Sequence, residues 1–310
     1  MIEDRIAIIG AGVSGLTCGV VLAEQGYHTH LFAAEPPEQT TSAVAAAMWF
    51  PYDAEPADKV IPWALASYEV FQALSRDPAT GVSMIELRQF CREDRLPIPS
   101  WARRFNARSD TSGEFTITVP LSDSSLYLGY LRRRLAGAGG QLATGVRLDE
   151  PGDVDASFNV VINCAGIGAK TLVGDPDLEP HRGQVVQVEK LALPGAVVCD
   201  DPPLMYAIPR TNDCIFGGTN EISGDLAPDP KVTAAIVSEC SAVLKIAPPR
   251  IIATRVGLRP YRKSGVRVEA DRLEDGRTLI HNYGHGGAGF TLSWGCAQSV
   301  AAIVRRIRDR

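Results

Sequence analysis

Three features that would place this 310-residue chain in other protein classes are missing from its sequence. Its seven cysteines are an odd number, and none is paired at the spacing of a zinc site or a disulfide framework. No apolar run approaches the ~18 residues that a membrane-spanning helix needs. Basic residues are not in excess, since 31 Lys and Arg stand against 36 Asp and Glu, for a net charge of -5. We therefore expect no metal site, no membrane span and no nucleic-acid partner.

The composition is that of an ordinary folded protein. Hydrophobic residues make up 45% and charged residues 22% of the chain, as in typical globular domains. The length suggests one large or two modest domains at roughly 150 residues each. Scattered cysteines indicate reduced thiols in a cytoplasmic protein, and the N-terminal apolar run, which Gly10 interrupts, is typical of a buried strand rather than a secretory signal. Association into a homodimer is left open.

The hydrophobic pattern predicts an α/β fold, α+β overall. A strand, a glycine-rich turn, a helix and a second strand open the chain. Helical and buried-strand patterns recur in the middle and at the end, whereas alternating patterns typical of antiparallel strands lie between them. This arrangement predicts two interleaved domains. A doubly wound, Rossmann-like dinucleotide domain comprises residues 1–75, 125–180 and 255–310, and an antiparallel-sheet substrate domain comprises residues 76–124 and 181–254.

The first turn carries the nucleotide fingerprint Gly10-x-Gly12-x-x-Gly15 between the predicted strand and helix. Gly10 allows the sharp turn, Gly12 lets a pyrophosphate approach the backbone, and Gly15 lets the helix and strand pack closely. The first helical residues, Val13 and Ser14, offer free N–H groups to phosphates. The fingerprint does not separate NAD from FAD, and a glycine-rich turn without a ligand is the alternative.

Two further segments bear on the same ligand. Glu35 lies 20 residues after Gly15, at the end of the second strand, where an acidic residue holds a ribose hydroxyl. The apolar segment INCAGIGAK ends in a small-residue turn at Cys164, Ala165 and Gly166. In flavoproteins with this fingerprint, a similar turn passes close to the dinucleotide. The alternative is a plain buried strand with a tight turn.

Three more motifs carry a family resemblance. They are YAIPR at 206–210 followed by Gly-Gly-Thr at 217–219, VGLRP at 256–260, and HNYGHGGAGF at 281–290. Together with the N-terminal GAGVSGL, the loop at 40–49 and the segment at 180–184, they closely resemble the D-amino-acid oxidase family, which includes the D-aspartate oxidases. The resemblance covers most of the chain, from Arg5 to about Ala297. It implies that the dinucleotide domain binds FAD and is interleaved with the antiparallel substrate domain.

The resemblance implies oxidation of a D-amino acid to an imine by hydride transfer to the flavin, with O2 as the electron acceptor. The imine then hydrolyses to a 2-oxo acid and ammonia, and hydrogen peroxide is released. Arg259 would grip the substrate carboxylate, which suits the planar, two-donor guanidinium. Tyr206 would add its hydroxyl, and Gly287 would offer its backbone carbonyl to the substrate amine. Taken alone, Arg259 could be a surface ion-pair residue and Tyr206 a core aromatic.

By the same resemblance, other residues surround FAD and the substrate. Beyond the fingerprint and Glu35, the implied cofactor-binding residues are Thr40, Thr41, Ser42, Ala46, Ala47, Met48, Cys164, Ala165, Gly166, Arg182, Gly284, Gly286, Gly287, Ala288, Gly289, Phe290 and Thr291. The implied substrate pocket comprises Met48, Phe50, Tyr206, Arg259, Gly287 and Ala288. His281 and His285 are interpreted as structural, because the glycines around them exclude the helix that a metal site at this spacing requires.

Departures from the family pattern bear on the substrate. Mammalian relatives carry a second pocket tyrosine on a mobile lid, whereas the run from Leu193 to Met205 is short, and Ala288 stands at an aromatic position. Both differences predict an open site. Asn220 stands where the dicarboxylate-specific branch has an arginine, which favours neutral or apolar side chains.

Three alternatives to this activity stay open. The first is a D-aspartate oxidase, because GLRPYRKSGVR at 257–267 resembles that branch. The second is a glycine- or sarcosine-type amine oxidase. The third is a flavin-binding protein that has lost turnover.

Overall fold

The computed structural model describes residues 5–51, 54–92, 98–105, 107–109 and 114–309. The strands are β1 (Arg5–Ile9), β2 (His28–Ala33), β3 (Val82–Gln89), β4 (Arg108–Ser109), β5 (Phe115–Ser122), β6 (Gln141–Thr144), β7 (Val160–Asn163), β8 (Leu178–Glu189), β9 (Ala196–Cys199), β10 (Met205–Pro209), β11 (Asp213–Gly217), β12 (Glu221–Ile222), β13 (Ile251–Arg262), β14 (Arg267–Arg272) and β15 (Thr278–Tyr283). The helices are α1 (Val13–Ala23), α2 (Thr41–Val44), α3 (Ala57–Leu74), α4 (Ser124–Gly137), α5 (Ala169–Leu172), α6 (Pro230–Leu244) and α7 (Gly289–Arg308).

The first sheet is largely parallel, in the order β14-β15-β7-β1-β2-β6, with β14 antiparallel at its edge. β1 lies inside it, so that Ile8 pairs with Leu31 of β2 and with Ile162 of β7. The side chains of β1 are apolar on both faces of the sheet, because both faces are covered by other parts of the protein. The helices α1 and α7 pack on one face, and Val154 and Phe158 pack on the other. This is the predicted strand–turn–helix–strand start of the chain.

The second sheet is built around the long strand β8, which pairs antiparallel with β11, β12 and β13. Beyond β11 the sheet continues through β10, β9, β3, β5 and β4. In the described residues its pairings are antiparallel except for β3 with β9. Apolar residues of β8, β10 and β11 pack against α6 on the outer face. The inner face is thereby left to meet the first sheet and its helices.

The predicted fold class is confirmed, since a parallel nucleotide-type sheet is interleaved with an antiparallel one. Two predicted domain boundaries fall inside strands: 180/181 lies within β8, and 254/255 lies within β13. The strand β13 pairs with β8 in the second sheet, and its Tyr261 makes one further bridge to His285. The division into domains stays a prediction.

Buried aromatic side chains fill the space between the sheets. Trp49 and Tyr127 are fully buried. Their polar atoms are satisfied, because Trp49 Nε1 donates to the Ala64 carbonyl at 2.8 Å and Trp294 Nε1 donates to the Tyr127 hydroxyl at 2.9 Å. Burial of each such ring contributes on the order of 2 kcal/mol or more to folding. This core fixes α3, α4 and α7 beside the functional cavity.

Within the described part of the chain, no helix is both long and apolar enough to span a bilayer. Among the same residues, no cluster of three or more His, Cys, Asp or Glu side chains is arranged to hold a metal ion.

Candidate active site

A cavity of about 550 Å³ joins the carboxyl ends of β1 and β2 to the inner face of the second sheet. Its lining includes the fingerprint turn and Glu35 on the side of the first sheet. Tyr206 and Arg259 line it on the side of the second sheet. Ligands of open α/β sheets bind at such strand ends. The residues predicted for a dinucleotide and those predicted for a substrate therefore share one cavity.

The three fingerprint glycines have different physical roles. Gly10 has φ +111, and a Cβ there would lie 2.4 Å from the carbonyl oxygen of Cys164. A Cβ on Gly15 would lie 2.0 Å from the carbonyl oxygen of Gly10. These two glycines let β1, α1 and the turn after β7 pack closely. At Gly12, by contrast, a Cβ would meet one protein atom within 4 Å, Ser42 Oγ, in a tight contact at 3.1 Å, and Gly12 otherwise borders the cavity.

The N-terminus of α1 faces this space. Gly12 is the N-cap and supplies no side-chain hydrogen bond. The Val13 N–H donates to Ser42 Oγ at 3.0 Å, and Ser14 lines the cavity. A helix that begins beside a cavity, with an N-cap residue that has no side chain, is suited to an anionic group such as a pyrophosphate.

The segment around residues 40–50 forms another wall and is held at several points. Thr41 Oγ1 donates to the Leu258 carbonyl at 3.3 Å. Thr291 Oγ1 donates to the Phe50 carbonyl at 2.9 Å and accepts from the Phe50 N–H at 3.0 Å. Ala47, at φ 59, adopts a left-handed backbone conformation that is uncommon for a residue with a side chain. These bonds fix Ala46, Ala47 and Met48 along the cavity.

Arg259 and Tyr206 are brought together by glycines on neighbouring strands. The Arg259 guanidinium lies over Gly183, where a Cβ would come within 2.5 Å of Nη1, and Nη1 donates to the Thr219 carbonyl at 2.8 Å. The Tyr206 ring lies over Gly217, where a Cβ would stand 1.9 Å from the ring Cζ. Both side chains therefore depend on the absence of a Cβ beneath them.

The charges at this pair suit an anionic ligand. Burial raises the pKa of Tyr206, and the nearby Arg259 guanidinium only partly opposes this shift. Tyr206 is therefore a neutral hydrogen-bond donor at neutral pH. Within the described ranges, Arg259 makes no ion pair with an acidic side chain. A half-buried guanidinium without a carboxylate partner, next to a phenol donor, can bind a carboxylate strongly.

The two histidines of the third motif are buried. His285 Nε2 lies 3.1 Å from Asn282 Oδ1, and Asn282 Nδ2 donates to Cys18 Sγ at 3.1 Å. The amide oxygen is thus the acceptor, and the imidazole donates to it. Burial lowers the pKa of His285 to about 4, and burial is also the main reason why the pKa of His281 is lowered to about 4. Both are neutral near pH 7, in agreement with a structural role.

Most of the predicted site residues line the cavity. Those that do are Gly10, Gly12, Val13, Ser14, Glu35, Thr40, Thr41, Ser42, Ala46, Ala47, Met48, Phe50, Cys164, Ala165, Gly166, Tyr206, Arg259, Gly286, Gly287, Gly289, Phe290 and Thr291.

Four predicted residues lie elsewhere. Gly15 packs against Gly10. Arg182, predicted to contact the cofactor, donates instead to the carbonyls of Asp225 and Ala227 at 2.9 and 2.7 Å, and so it fastens the segment after β12. A Cβ on Gly284 would meet Arg262, outside the cavity. Ala288 is fully buried in the core and does not line the cavity, and its effect on the width of the substrate pocket stays a prediction.

Several cavity residues were not predicted. Val198, Asp200, Leu204 and Ile208 line it from β9, β10 and the turn between them, and Arg147, Asn282 and His285 line it elsewhere. The spacing along the strand could have predicted two of them, because side chains two residues apart on a strand lie on the same face. Leu204 and Ile208 flank Tyr206 at that spacing, and Val198 pairs directly with Tyr206.

Comparisons with known proteins agree with this geometry. The family model described as FAD dependent oxidoreductase matches residues 5–303. The chain is 39% identical to a D-amino-acid oxidase of Rubrobacter xylanophilus over 315 residues, covering 97% of this chain and 95% of the relative. It is 41% identical to a D-amino-acid oxidase of Streptomyces coelicolor over 316 residues, covering 97% of each.

A solved structure supports the fold. A glycine oxidase from Geobacillus kaustophilus matches with a TM-score of 0.81 at 18% identity, covering 98% of this chain and 95% of that one. The cofactor of the family is FAD, and the cavity fits it, since the uncapped start of α1, the open space at Gly12 and the acidic Glu35 lie along one wall. The resemblance read from the motifs is confirmed, and the chain belongs to the D-amino-acid oxidase family of FAD-dependent oxidoreductases.

Proposed function

We propose that this protein oxidises D-amino acids to 2-oxo acids and ammonia, with FAD as its cofactor, O2 as the electron acceptor that is reduced to hydrogen peroxide, and water hydrolysing the imine. The observation that carries the proposal is the position of Arg259. Its guanidinium has no carboxylate partner among the described residues and lies near the Tyr206 hydroxyl. Both residues line the same cavity as the nucleotide fingerprint. A substrate with an α-carboxylate would complete this arrangement.

The protein's residues would orient the substrate. Arg259 would bind the α-carboxylate with two parallel N–H donors, and the Tyr206 hydroxyl would donate to the same group. The backbone carbonyl of Gly287 would accept a hydrogen bond from the α-amine. These contacts hold two substituents of Cα, which leaves one enantiomer with its hydrogen directed at the cofactor. FAD, when bound, supplies the acceptor for that hydrogen and its electron pair, and O2 regenerates it.

The cavity walls favour neutral side chains over a second carboxylate. Near Tyr206 the lining is largely apolar, with Val198, Leu204 and Ile208 on or next to the strands β9 and β10, and the acidic side chain on this side of the cavity is Asp200. A D-aspartate oxidase would need a second cation here. In the described lining the arginines are Arg259 and Arg147. Arg147 lies on the nucleotide side, because the N–H of the preceding Val146 donates to the Ala33 carbonyl at the end of β2.

We further propose a cytoplasmic location. All seven cysteines are free thiols, and six of them are buried. Such usage is typical of a reducing compartment.

Peroxide release over a panel of D- and L-amino acids tests the activity. We expect release with D-enantiomers carrying neutral side chains and none with the L-enantiomers. We also expect deuterium at Cα to slow single-turnover reduction of the flavin, because the bond from Cα to its hydrogen breaks in that step as the hydrogen leaves as hydride. Equal rates with both enantiomers would contradict the proposal. Bound flavin that no D-amino acid reduces would favour the non-catalytic alternative.

Replacing Gly183 with alanine tests the position of Arg259 without altering its chemistry. The new Cβ would overlap the guanidinium, within 2.5 Å of Nη1, so Arg259 must move. We expect kcat/KM for a D-amino acid to fall roughly tenfold or more, because small misplacements of a binding group impair orientation, while FAD occupancy persists. Gly224→Ala, whose Cβ would meet nothing within 4 Å, is the matched control. An unchanged kcat/KM for Gly183→Ala would show that the substrate carboxylate does not bind at Arg259.

A further inference from the structure

An acidic side chain lies at the substrate side of the cavity. Asp200 directly follows β9 and lines the cavity together with Val198, two residues earlier. Val198 pairs with Tyr206 on the neighbouring strand β10. Since residues two apart share one face of a strand, Asp200 continues the Tyr206 side of the sheet. Its side chain is exposed to the cavity rather than packed into the core.

Asp200 has one polar partner among the described residues. Gln89 Nε2 donates to its Oδ2 at 2.8 Å, and none of the described ion pairs includes it. The adjacent Asp201 accepts instead from the Arg92 N–H at 2.8 Å. Desolvation of its carboxyl, together with the neighbouring Asp201 carboxylate, raises the pKa of Asp200. Among the described residues the other oxygen of Asp200, Oδ1, accepts no hydrogen bond and is available to a ligand.

The distance from Arg259 to Asp200 suits a long side chain. The Arg259 guanidinium lies over β8, and the sheet then runs through β11 and β10 to β9. Three strand spacings of about 4.8 Å make roughly 14 Å. A substrate can fill this distance of roughly 14 Å if its carboxylate binds Arg259 and a four-carbon stem lies along the apolar wall. The hydrogen-bonded contact at each end then accounts for about 3 Å. Val198, Leu204 and Ile208 would contact the stem.

We propose that Asp200 is a specificity-determining residue that favours D-amino acids with a long basic side chain, such as D-lysine, and rejects acidic ones. This inference rests on the proposed function. A terminal ammonium at Asp200 forms a charge-assisted hydrogen bond. An acidic side chain in the same place faces a carboxylate in a partly desolvated cavity, where like charges repel strongly. Neutral side chains of the same length contact the apolar wall and gain no ion pair.

The test compares three substrates of similar length in the FAD-loaded protein: D-lysine, D-norleucine and D-glutamate. We expect Asp200→Asn to lower the ratio of kcat/KM for D-lysine over D-norleucine at least tenfold. Its kcat/KM for D-norleucine should stay within about twofold of wild type, and D-glutamate should improve. Asp201→Asn removes the same charge from the neighbouring residue, which does not line the cavity, and should leave the ratio unchanged. Anaerobic calorimetry of the same ligands with the flavin already reduced by dithionite, so that no ligand is oxidised during the titration, should give the same ratios as binding constants.

Three results would overturn the role of Asp200. The first is an unchanged ratio in Asp200→Asn. The second is an equal loss for D-lysine and D-norleucine, which would assign Asp200 to the reaction itself. The third is the same change in Asp201→Asn, which would reflect long-range charge. Wild-type protein that oxidises none of the three substrates would contradict the proposed function instead, and the calorimetric ratio would then still decide the role of Asp200.

Discussion

Replacing Arg259 with alanine should lower kcat/KM for D-amino acids by about 10²–10³ and leave FAD occupancy unchanged. The guanidinium lies over Gly183, bonded to the Thr219 carbonyl and close to Tyr206. Removing one partner of a desolvated charge pair costs about 3–5 kcal/mol, and each 1.4 kcal/mol is about a factor of ten. The measurements are steady-state peroxide release, flavin absorbance of the purified protein and its melting temperature.

Two milder substitutions separate charge from geometry at this position. Arg259→Lys keeps the positive charge but loses the planar pair of donors, so the carboxylate can rotate, and we expect little recovery of kcat/KM. Tyr206→Phe should cost less than Arg259→Ala, because it removes one neutral hydroxyl and keeps the ring over Gly217.

The control is Arg255→Ala, an exposed arginine four residues earlier on the same strand. It should behave like wild type. If Arg259 instead stabilises the fold as an ion-pair residue, Arg259→Ala will lose FAD and melt at a lower temperature. If Arg259→Ala keeps wild-type kcat/KM, Arg259 does not bind substrate.

The parts of the site that the sequence predicts are those built from local patterns. The strand, turn and helix around Gly10 are contiguous, and their close contacts follow from the absence of side chains at two of the fingerprint glycines. The segment 281–290 likewise forms a strand, a turn and a helix start in order. In these two segments local propensity and packing favour the same structure, so the order of residues along the chain is enough to predict it.

The parts that the sequence misplaces depend on distant pairing. Arg182 is fixed by carbonyls 43 and 45 residues away, and nothing in its neighbourhood along the chain shows where it points. The strand β13 extends past the predicted boundary at 254/255, because its partner residues in β8 lie 63 (Ile251 with Val188) to 84 (Arg262 with Leu178) residues earlier. No sequence motif identifies Asp200 as a cavity residue, for the same reason. It enters the cavity because β9 pairs with β10, not because of the residues beside it.

Replacing Gly12 with leucine should abolish FAD binding while the protein still folds. Gly12 has φ -71, which any residue can adopt, and the nearest protein atom to a Cβ there would be Ser42 Oγ at 3.1 Å. A leucine side chain would therefore enter the cavity at the N-terminus of α1, where the pyrophosphate is expected. We expect the purified variant to lack flavin absorbance and to release no peroxide, with circular dichroism like that of wild type.

Two other glycines make the interpretation of Gly12→Leu specific. Gly137→Leu adds the same side chain at the end of α4, where a Cβ meets nothing within 4 Å, and should keep FAD. Gly10→Ala places a Cβ 2.4 Å from the Cys164 carbonyl at φ +111, and should lose the fold as well as the cofactor. A Gly12→Leu protein with full flavin occupancy would place the dinucleotide elsewhere in the cavity. An unfolded Gly12→Leu protein would mean that Gly12, like Gly10, is needed for close packing of the protein. The space beside it would then be occupied by protein atoms and not by a ligand.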